Sequence, residues 1–329
     1  MITLGELLMS DSNRRENARI LQTLSIGLTL LCAVAGAAAQ TSATGRPCQS
    51  TVTGDLEIVA MKSSVFDNTR DLRVWLPPGY HDAANASKTY PVLYLFDGQF
   101  LFDKCTGPGQ VMEIHVDEAL TDLISRRAVQ PIIVVGIDNA GTADGRSREY
   151  QPYFNPTLPI DDPSVLHGER IPVFMAEDVM PFVKSHYRIS EAAENTGVGG
   201  FSAGSVAALE CLIQRPDLFG LGLLESTSLQ FGNGQLIRDT SPILRAPIRV
   251  SIGVGTAEQG QDISTALGTP EFNLAFVRLS QQLAMNLKAA WFSHPEVRLT
   301  VEQGAGHEPG AWAKRVPADL EFLFPPRKP

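Results

Sequence analysis

The sequence predicts an α/β fold with a mostly parallel central sheet and helices on both faces. Two observations predict it. Short apolar runs alternate along the chain with longer stretches of helical periodicity, which is the pattern of repeated β-α units. In addition, the runs at residues 91–96 and 132–137 are almost entirely apolar, as is typical of strands that are buried on both faces.

The strands are predicted from apolar runs that are bounded by turn residues. The first two such runs are residues 56–61 and 72–76, and the turn Pro77-Pro78-Gly79 follows them. The predicted strands cover residues 56–61, 72–76, 91–96, 132–137, 196–199, 222–225, 248–254 and 297–301.

The helices are predicted from apolar residues that recur at a spacing of three and four. They cover residues 111–126, 173–186, 205–215, 272–287 and 311–324. Pro181 is expected to kink the second helix, because proline has no N–H to donate. Residues 139–168 lack such a pattern, and we expect a long irregular loop of the kind that builds substrate pockets.

The composition indicates one globular domain, predicted over residues 48–329 after a short linker at 40–47. The chain has 329 residues, of which 43% are hydrophobic and 19% charged. No internal repeat or low-complexity linker divides it. The formal net charge of −9, together with the absence of a run of Lys and Arg, argues against nucleic acid or an anionic membrane as a partner.

The first 39 residues resemble a secretory signal peptide. Arg14, Arg15 and Arg19 precede an uncharged stretch at residues 20–39 that ends in three alanines. We therefore expect a secreted or periplasmic protein with no stable membrane association after cleavage. The alternative is a retained membrane anchor, since the uncharged stretch is long for a signal peptide.

Three cysteines follow the predicted signal peptide. Cys48 and Cys105 lie in irregular segments and could form a disulfide in an oxidising compartment. Cys211 lies on a predicted helix and is expected to be a small buried side chain. The cysteine spacing fits no metal site, and no metal or organic cofactor is implied.

Residues 200–204 read Gly-Phe-Ser-Ala-Gly, a G-x-S-x-G pattern between a predicted strand and a predicted helix. A serine on such a turn is held in a strained backbone conformation with its hydroxyl exposed. The residues two before and two after it must be small, because strand and helix nearly touch there. Ser202 is therefore the candidate nucleophile, and the alternative is a Gly/Ser-rich loop without chemistry.

A serine nucleophile needs a base, and the base needs an acid that orients it. In a doubly wound hydrolase these follow the serine in the order acid, then histidine. His307 lies in a glycine-rich loop between the last strand and the last helix and is the candidate base, whereas His294 is expected at the surface. Glu258 is the first carboxylate after the strand at 248–254 and is the favoured acid, with Asp262 as the alternative.

An oxyanion hole requires two N–H donors. One is expected to be the backbone N–H of Ala203, the residue after the nucleophile. The second is expected in the loop Asp97-Gly98-Gln99-Phe100 that follows the strand at 91–96. Because Gly98 permits a tight turn, Gln99 is the candidate donor and Phe100 the next.

These segments resemble the putative-esterase family of α/β hydrolases. The family includes esterase D-like enzymes, enterochelin-type siderophore esterases, feruloyl and acetyl-xylan esterases, and mycolyltransferases. The resemblance extends over nearly all of the chain after residue 47. Its segments are Pro91 to Gln99, Val134-Val135-Gly136-Ile137-Asp138-Asn139, Arg148-Glu149-Tyr150, Tyr187-Arg188, Gly199 to Gly204, Pro216-Asp217-Leu218-Phe219-Gly220 and Gly306-His307.

The resemblance implies an α/β-hydrolase fold and a triad of Ser202, Glu258 and His307. The chain departs from the family at two places: many members have Ser-Met-Gly-Gly at the nucleophile and His-Gly-Gly at the oxyanion loop. Asp97-Gly98-Gln99 is closer to the siderophore-esterase branch.

The expected function is a serine esterase that acts through an acyl-enzyme on an exported or extracellular ester. Its expected partner is a small-molecule or carbohydrate-linked ester, with Arg148, Tyr150 and Phe100 as candidate substrate-binding residues. Alternatively, Arg148 and Tyr150 could equally well hold the loop in place through an ion pair or a stacking contact. The alternatives are an acyltransferase with the same triad and a non-catalytic binding module on a hydrolase fold.

Overall fold

A computed structural model describes residues 48–141, 143–153, 166–240, 247–259, 270–290 and 295–326. The predicted signal peptide and linker at residues 1–47 lie outside the described residues, as do Asp262 and His294.

One sheet organises the described part of the chain, and its eight strands lie in the order β1-β2-β4-β3-β5-β6-β7-β8. The strand β2 pairs antiparallel with both β1 and β4, and every other neighbouring pair is parallel. The mostly parallel sheet predicted from the sequence is therefore confirmed. The strands are β1 Asp55–Lys62, β2 Thr69–Leu76, β3 Val92–Phe96, β4 Ile133–Ile137, β5 Thr196–Phe201, β6 Leu221–Glu225, β7 Arg249–Gly255 and β8 Glu296–Glu302.

Helices follow most of the strands and cover both faces of the sheet. They are α1 Val116–Ser125, α2 Ala143–Tyr150, α3 Ile171–Phe174, α4 Met180–His186, α5 Ala203–Gln214, α6 Phe231–Asp239, α7 Pro270–Lys288 and α8 Pro309–Leu323. Across the described ranges, none of the helices combines the length and the apolar character needed to cross a membrane.

The central strands are buried on both faces, as their apolar runs predict. Along β3, Val92, Tyr94 and Phe96 contribute to one hydrophobic core, which also contains apolar residues of α3, α5 and α7. Leu93 and Leu95, which alternate with them, contribute to a second core with α1 and α8. This alternation is the two-residue period of a strand, and it gives the sheet a separate core on each face.

Three helical segments differ from the sequence-based expectation, and one of them is α6, which no sequence pattern predicts. The segment at 139–168 was expected to be irregular, but it contains α2, which has no apolar stripe and is held by ion pairs described below. The helix expected at residues 173–186 is divided into α3 and α4 by a π-helical turn, Met175–Val179. Pro181, where a kink is expected, lies in the first turn of α4, directly after this π turn.

A disulfide joins Cys48 to Cys105, and their Cα atoms lie 5.6 Å apart. The bond ties the first described residue to the loop that follows β3, across a sequence separation of 57 residues. Such a long closed loop reduces the entropy of the unfolded chain. Cys211 is buried on α5 and remains a free thiol.

The turn from β5 to α5 is a close contact between backbone segments. A Cβ atom on Gly200 would lie 2.5 Å from the carbonyl carbon and oxygen of Gly204. Real Cβ atoms do not approach backbone atoms so closely, and backbone cannot move aside as a flexible side chain can. Gly200 is therefore required by the space between strand and helix.

We predict that Gly200→Ala lowers the free energy of unfolding by roughly 1–3 kcal/mol, because the added methyl group overpacks this turn. Chemical denaturation monitored by circular dichroism measures the effect. Gly310→Ala is the matched control, since a Cβ at Gly310 meets nothing within 4 Å and this residue lies in the first turn of α8. Its alanine is expected to be neutral or slightly stabilising. Equal stabilities of the two variants would contradict the steric argument.

Candidate active site

Ser202 occupies the turn between β5 and α5 with φ 59° and ψ −124°. This positive φ is unusual for a residue with a side chain and places backbone strain at the serine. The conformation is held by the N–H of Ser202, which donates to the carbonyl oxygen of Glu225 at 2.9 Å. The hydroxyl is thereby directed out of the turn, toward the loop that follows β8.

His307 lies in that loop, before α8. Its Nε2 lies 2.7 Å from the Oγ of Ser202, and only 11% of its side chain is exposed. The edge of the imidazole packs against Trp312, with ring centroids 5.2 Å apart, and against Phe276 at 6.1 Å. These aromatic contacts restrict the rotation of the ring.

Glu258 follows β7 and approaches the other nitrogen of the imidazole. Its Oε2 lies 2.7 Å from the Nδ1 of His307. Its Oε1 accepts hydrogen bonds from the N–H of Gly255 at 2.6 Å and from the hydroxyl of Ser226 at 2.7 Å. The side chain of Glu258 is fully buried, so these bonds replace its hydration.

Burial alone would raise the pKa of Glu258, but its hydrogen bond and charge interaction with His307, helped by Gly255 and Ser226, lower the pKa below the usual value. The carboxyl group is therefore ionised at neutral pH and can only accept hydrogen bonds. From this network we assign the proton of neutral His307 to Nδ1, which leaves Nε2 free to accept the hydroxyl proton of Ser202.

Ser202, Glu258 and His307 meet because each follows the carboxyl end of a parallel strand. These strands are β5, β7 and β8, and parallel strands end at the same edge of the sheet. The structure thus brings together the three residues that the sequence analysis selected from distant segments. The alternative acid, Asp262, lies outside the described residues.

The loop after β3 lies against the first turn of α5. A Cβ on Gly204 would lie 2.8 Å from the Oδ2 of Asp97. In this loop the N–H of Phe100 donates to the carbonyl of Asp97 at 3.0 Å, which is the first hydrogen bond of a 3₁₀ turn. The N–H of Gln99 comes one residue earlier and therefore has no acceptor within that turn. Ala203 is the first residue of α5, and its N–H likewise lacks an acceptor within the helix.

Asp97 is held by side chains that the sequence analysis did not identify. Its Oδ1 accepts from the Nδ2 of Asn139 and the Nε of Arg146, both at 2.7 Å, and its Oδ2 accepts from the Nη2 of Arg146 at 2.6 Å. Asp97 itself is 4% exposed. The paired charge of Arg146 compensates the buried carboxylate. No local sequence pattern indicates this pairing, because α2 lies 49 residues from Asp97.

The predicted substrate-binding residues are in different environments. Tyr150 is 1% exposed and packs its ring against Phe96, with centroids 5.5 Å apart, so it is a core residue with little surface for a substrate to contact. Arg148 is exposed, and its carbonyl accepts the N–H of His167 at 2.8 Å. Phe100 is half-buried beside the second core.

Comparison with known proteins places this architecture in a family. The family model described as Putative esterase matches residues 63–323. An uncharacterised protein of Bacillus subtilis, YbbA, is 21% identical over 270 residues, which cover 80% of this chain and 97% of the relative.

Two solved structures share the fold. Enterochelin esterase from Shigella flexneri superposes with a TM-score of 0.60 at 20% identity, over 84% of this chain and 60% of that chain. This chain therefore spans about three fifths of that enzyme. A ferulic acid esterase superposes with a TM-score of 0.57 at 18% identity, over 84% of this chain and 99% of that chain.

The matched residues include every strand from β2 to β8, the turn that carries Ser202 and the loop that carries His307. The chain therefore belongs to the Putative esterase family of carboxylic-ester hydrolases and has the α/β-hydrolase fold of that family.

Proposed function

We propose that this protein is a serine esterase that cleaves its substrate through a covalent acyl-enzyme. The observation that carries the proposal is the unbroken line of hydrogen bonds from Ser202 through His307 to Glu258, with both links at 2.7 Å. A nucleophile, a base and an orienting acid in this order are the parts that acyl transfer by serine requires.

In the proposed reaction, the Nε2 of His307 removes the hydroxyl proton as the Oγ of Ser202 attacks the ester carbonyl. Glu258 stabilises the imidazolium that forms, and it keeps the Nδ1 proton directed toward itself. The tetrahedral intermediate expels the alcohol, which takes the proton from His307. In the second half of the reaction, His307 removes a proton from water as the water attacks the acyl-enzyme carbonyl. The oxygen of Ser202 then leaves with that proton, and the acid is released.

The negative oxygen of the intermediate is proposed to bind the N–H groups of Ala203 and Gln99. Both N–H groups lie in the first turn of a helix and lack an acceptor within it, which makes them suitable donors. Asp97 supports this arrangement, since its bonds to Asn139 and Arg146 anchor the loop beside α5.

We propose an exported or extracellular ester of a phenolic acid or a catecholate siderophore as the substrate. The support is the likeness in fold to enterochelin esterase and to a ferulic acid esterase, together with the signal-peptide pattern of residues 1–39. Arg148 is exposed on α2 and Phe100 is half-buried after β3, and we propose both for contact with the acyl group.

Ser202→Ala is predicted to lower kcat on a short p-nitrophenyl ester by about 10⁴-fold or more, because Ser202 is the nucleophile that the described residues place beside His307. Steady-state hydrolysis measures the loss. Ser205→Ala is the control: Ser205 lies in the first turn of α5, where it is buried and hydrogen-bonded to Thr227, so its variant should retain activity. Near-wild-type turnover by the Ser202 variant would exclude the acyl-enzyme mechanism.

Glu258→Gln is predicted to lower kcat by orders of magnitude, because the amide cannot stabilise the imidazolium, whereas Asp262→Asn should change kcat little. The reverse ranking would assign the acid to Asp262.

The same variant tests the pH dependence of stability. Since the folded-state pKa of Glu258 is lowered, its ionised form stabilises the fold above the unfolded-state pKa of about 4.3, and this contribution is lost as the pH falls through the lower folded-state value. We expect the difference in unfolding free energy between wild type and Glu258→Gln to shrink with decreasing pH below about 4.3. Urea unfolding at a series of pH values measures it, and a constant difference would contradict the expectation.

A substrate panel tests the proposed ester class. We expect methyl ferulate or a catecholate siderophore ester to be hydrolysed with a higher kcat/KM than the methyl esters of acetic acid or of a long-chain acid, which have alkoxide leaving groups of similar reactivity. Product analysis in the presence of added glycerol completes the test, because transfer of the acyl group to glycerol in preference to water would identify an acyltransferase instead.

A further inference from the structure

We infer that Ser226, held by Trp312 and Arg315, is a positioning residue for the acid Glu258. The inference rests on the proposed function, since it concerns how the Ser202–His307–Glu258 line is kept in place. Ser226 lies outside the G-x-S-x-G pattern, and no other sequence motif marks it.

Ser226 is the residue directly after β6 and is completely buried. Its φ of 47° is positive, which is unusual for a non-glycine residue and costs conformational energy. Its N–H donates to the carbonyl of Gly253 on the neighbouring strand at 2.8 Å. The backbone of Ser226 is thus fixed in a turn that directs its hydroxyl toward Glu258.

The hydrogen bonds around this hydroxyl determine where its proton lies. The Oγ of Ser226 lies 2.9 Å from the indole Nε1 of Trp312 and 3.3 Å from the Nη2 of Arg315. Both groups are donors only, so the oxygen of Ser226 must accept from them. The remaining close neighbour is the Oε1 of Glu258 at 2.7 Å, which as a carboxylate can only accept. The proton of Ser226 is therefore directed to Glu258.

The two donors come from α8, the helix that begins directly after the loop of His307. Arg315 is itself fixed by two carboxylates, with its Nη2 2.6 Å from the Oε2 of Glu225 and its Nη1 2.8 Å from the Oε2 of Glu302. Trp312 also packs against the imidazole of His307. The same helix thus orients the base by contact and the acid through Ser226.

A hydrogen bond to a buried charged group contributes more to stability than one between neutral groups. Loss of the Ser226 hydroxyl leaves the Oε1 of Glu258 with the N–H of Gly255 as its one partner in the described part of the chain. The carboxylate is then less strongly held opposite Nδ1 of His307, and it is also easier to protonate.

Ser226→Ala is predicted to lower kcat by roughly 10–100-fold while leaving KM within about twofold, since the buried hydroxyl does not reach substrate. Ser226→Gly is the second variant, because glycine adopts the positive φ without strain and therefore folds even where alanine destabilises the turn. The two should lose kcat alike. Ser205→Ala is the control, as it removes an equally buried 2.7 Å hydroxyl contact that does not touch Glu258.

A second measurement does not depend on activity. Removal of a donor raises the folded-state pKa of Glu258 toward its unfolded-state value of about 4.3. Below that pH, the acid-dependent loss of unfolding free energy in both Ser226 variants should therefore be smaller, and complete at a higher pH, than in wild type or Ser205→Ala. This shift tests the Ser226–Glu258 bond even if the wild-type protein hydrolyses none of the esters tested, in which case the proposed function fails on its own.

Wild-type kcat in both Ser226 variants, or an acid-unfolding profile that does not shift, would overturn the inference. So would an equal loss of kcat in Ser205→Ala, which would indicate a general effect of removing a buried hydroxyl. In the Glu258→Gln background, Ser226→Ala should cause little further loss of kcat, because the charge that Ser226 stabilises is absent. A further loss of kcat as large as in the wild-type background would indicate that Ser226 acts independently of Glu258.

Discussion

The buried charge of Glu258 is the constraint on which the arrangement of the site depends. A carboxylate without solvent contact is stable in a fold only when donors surround it. Its donors come from three places: the end of β7, the residue after β6 and the loop after β8. The hydrogen bonds to this one carboxylate therefore fix three loops relative to one another, and they leave the imidazole of His307 directed at Ser202.

Three residues with positive φ lie at the same edge of the sheet. Asp97, Ser202 and Ser226 each follow the last residue of a strand, each has a positive φ, and their strands β3, β5 and β6 are neighbours. Such conformations cost about 1–3 kcal/mol each and persist where the surroundings determine them. Here the two hydrophobic cores hold the strands and hydrogen bonds hold the turns. The strained residues thereby direct Ser202 to His307, Ser226 to Glu258 and Asp97 to Arg146.

A second buried carboxylate, that of Asp97, is compensated in the same manner. Arg146 neutralises it from α2, and Glu149 on the same helix pairs with Arg70 at 2.6 Å. These ion pairs explain why α2 forms although its sequence has no apolar stripe. They also tie α2, which carries the proposed substrate contact Arg148, to the loop proposed as part of the oxyanion hole.

The sequence by itself determined the strand order along the chain, most of the helices, and the residues Ser202, His307 and Glu258 as candidates. It could do so because periodicity, turn glycines and the position of a residue after a strand are local properties. Tertiary structure alone decided α2, the core position of Tyr150, and the roles inferred for Arg146 and Ser226. Their hydrogen bonds join residues 49 and 32 positions apart, and contacts between such distant side chains leave no periodic trace in a single sequence.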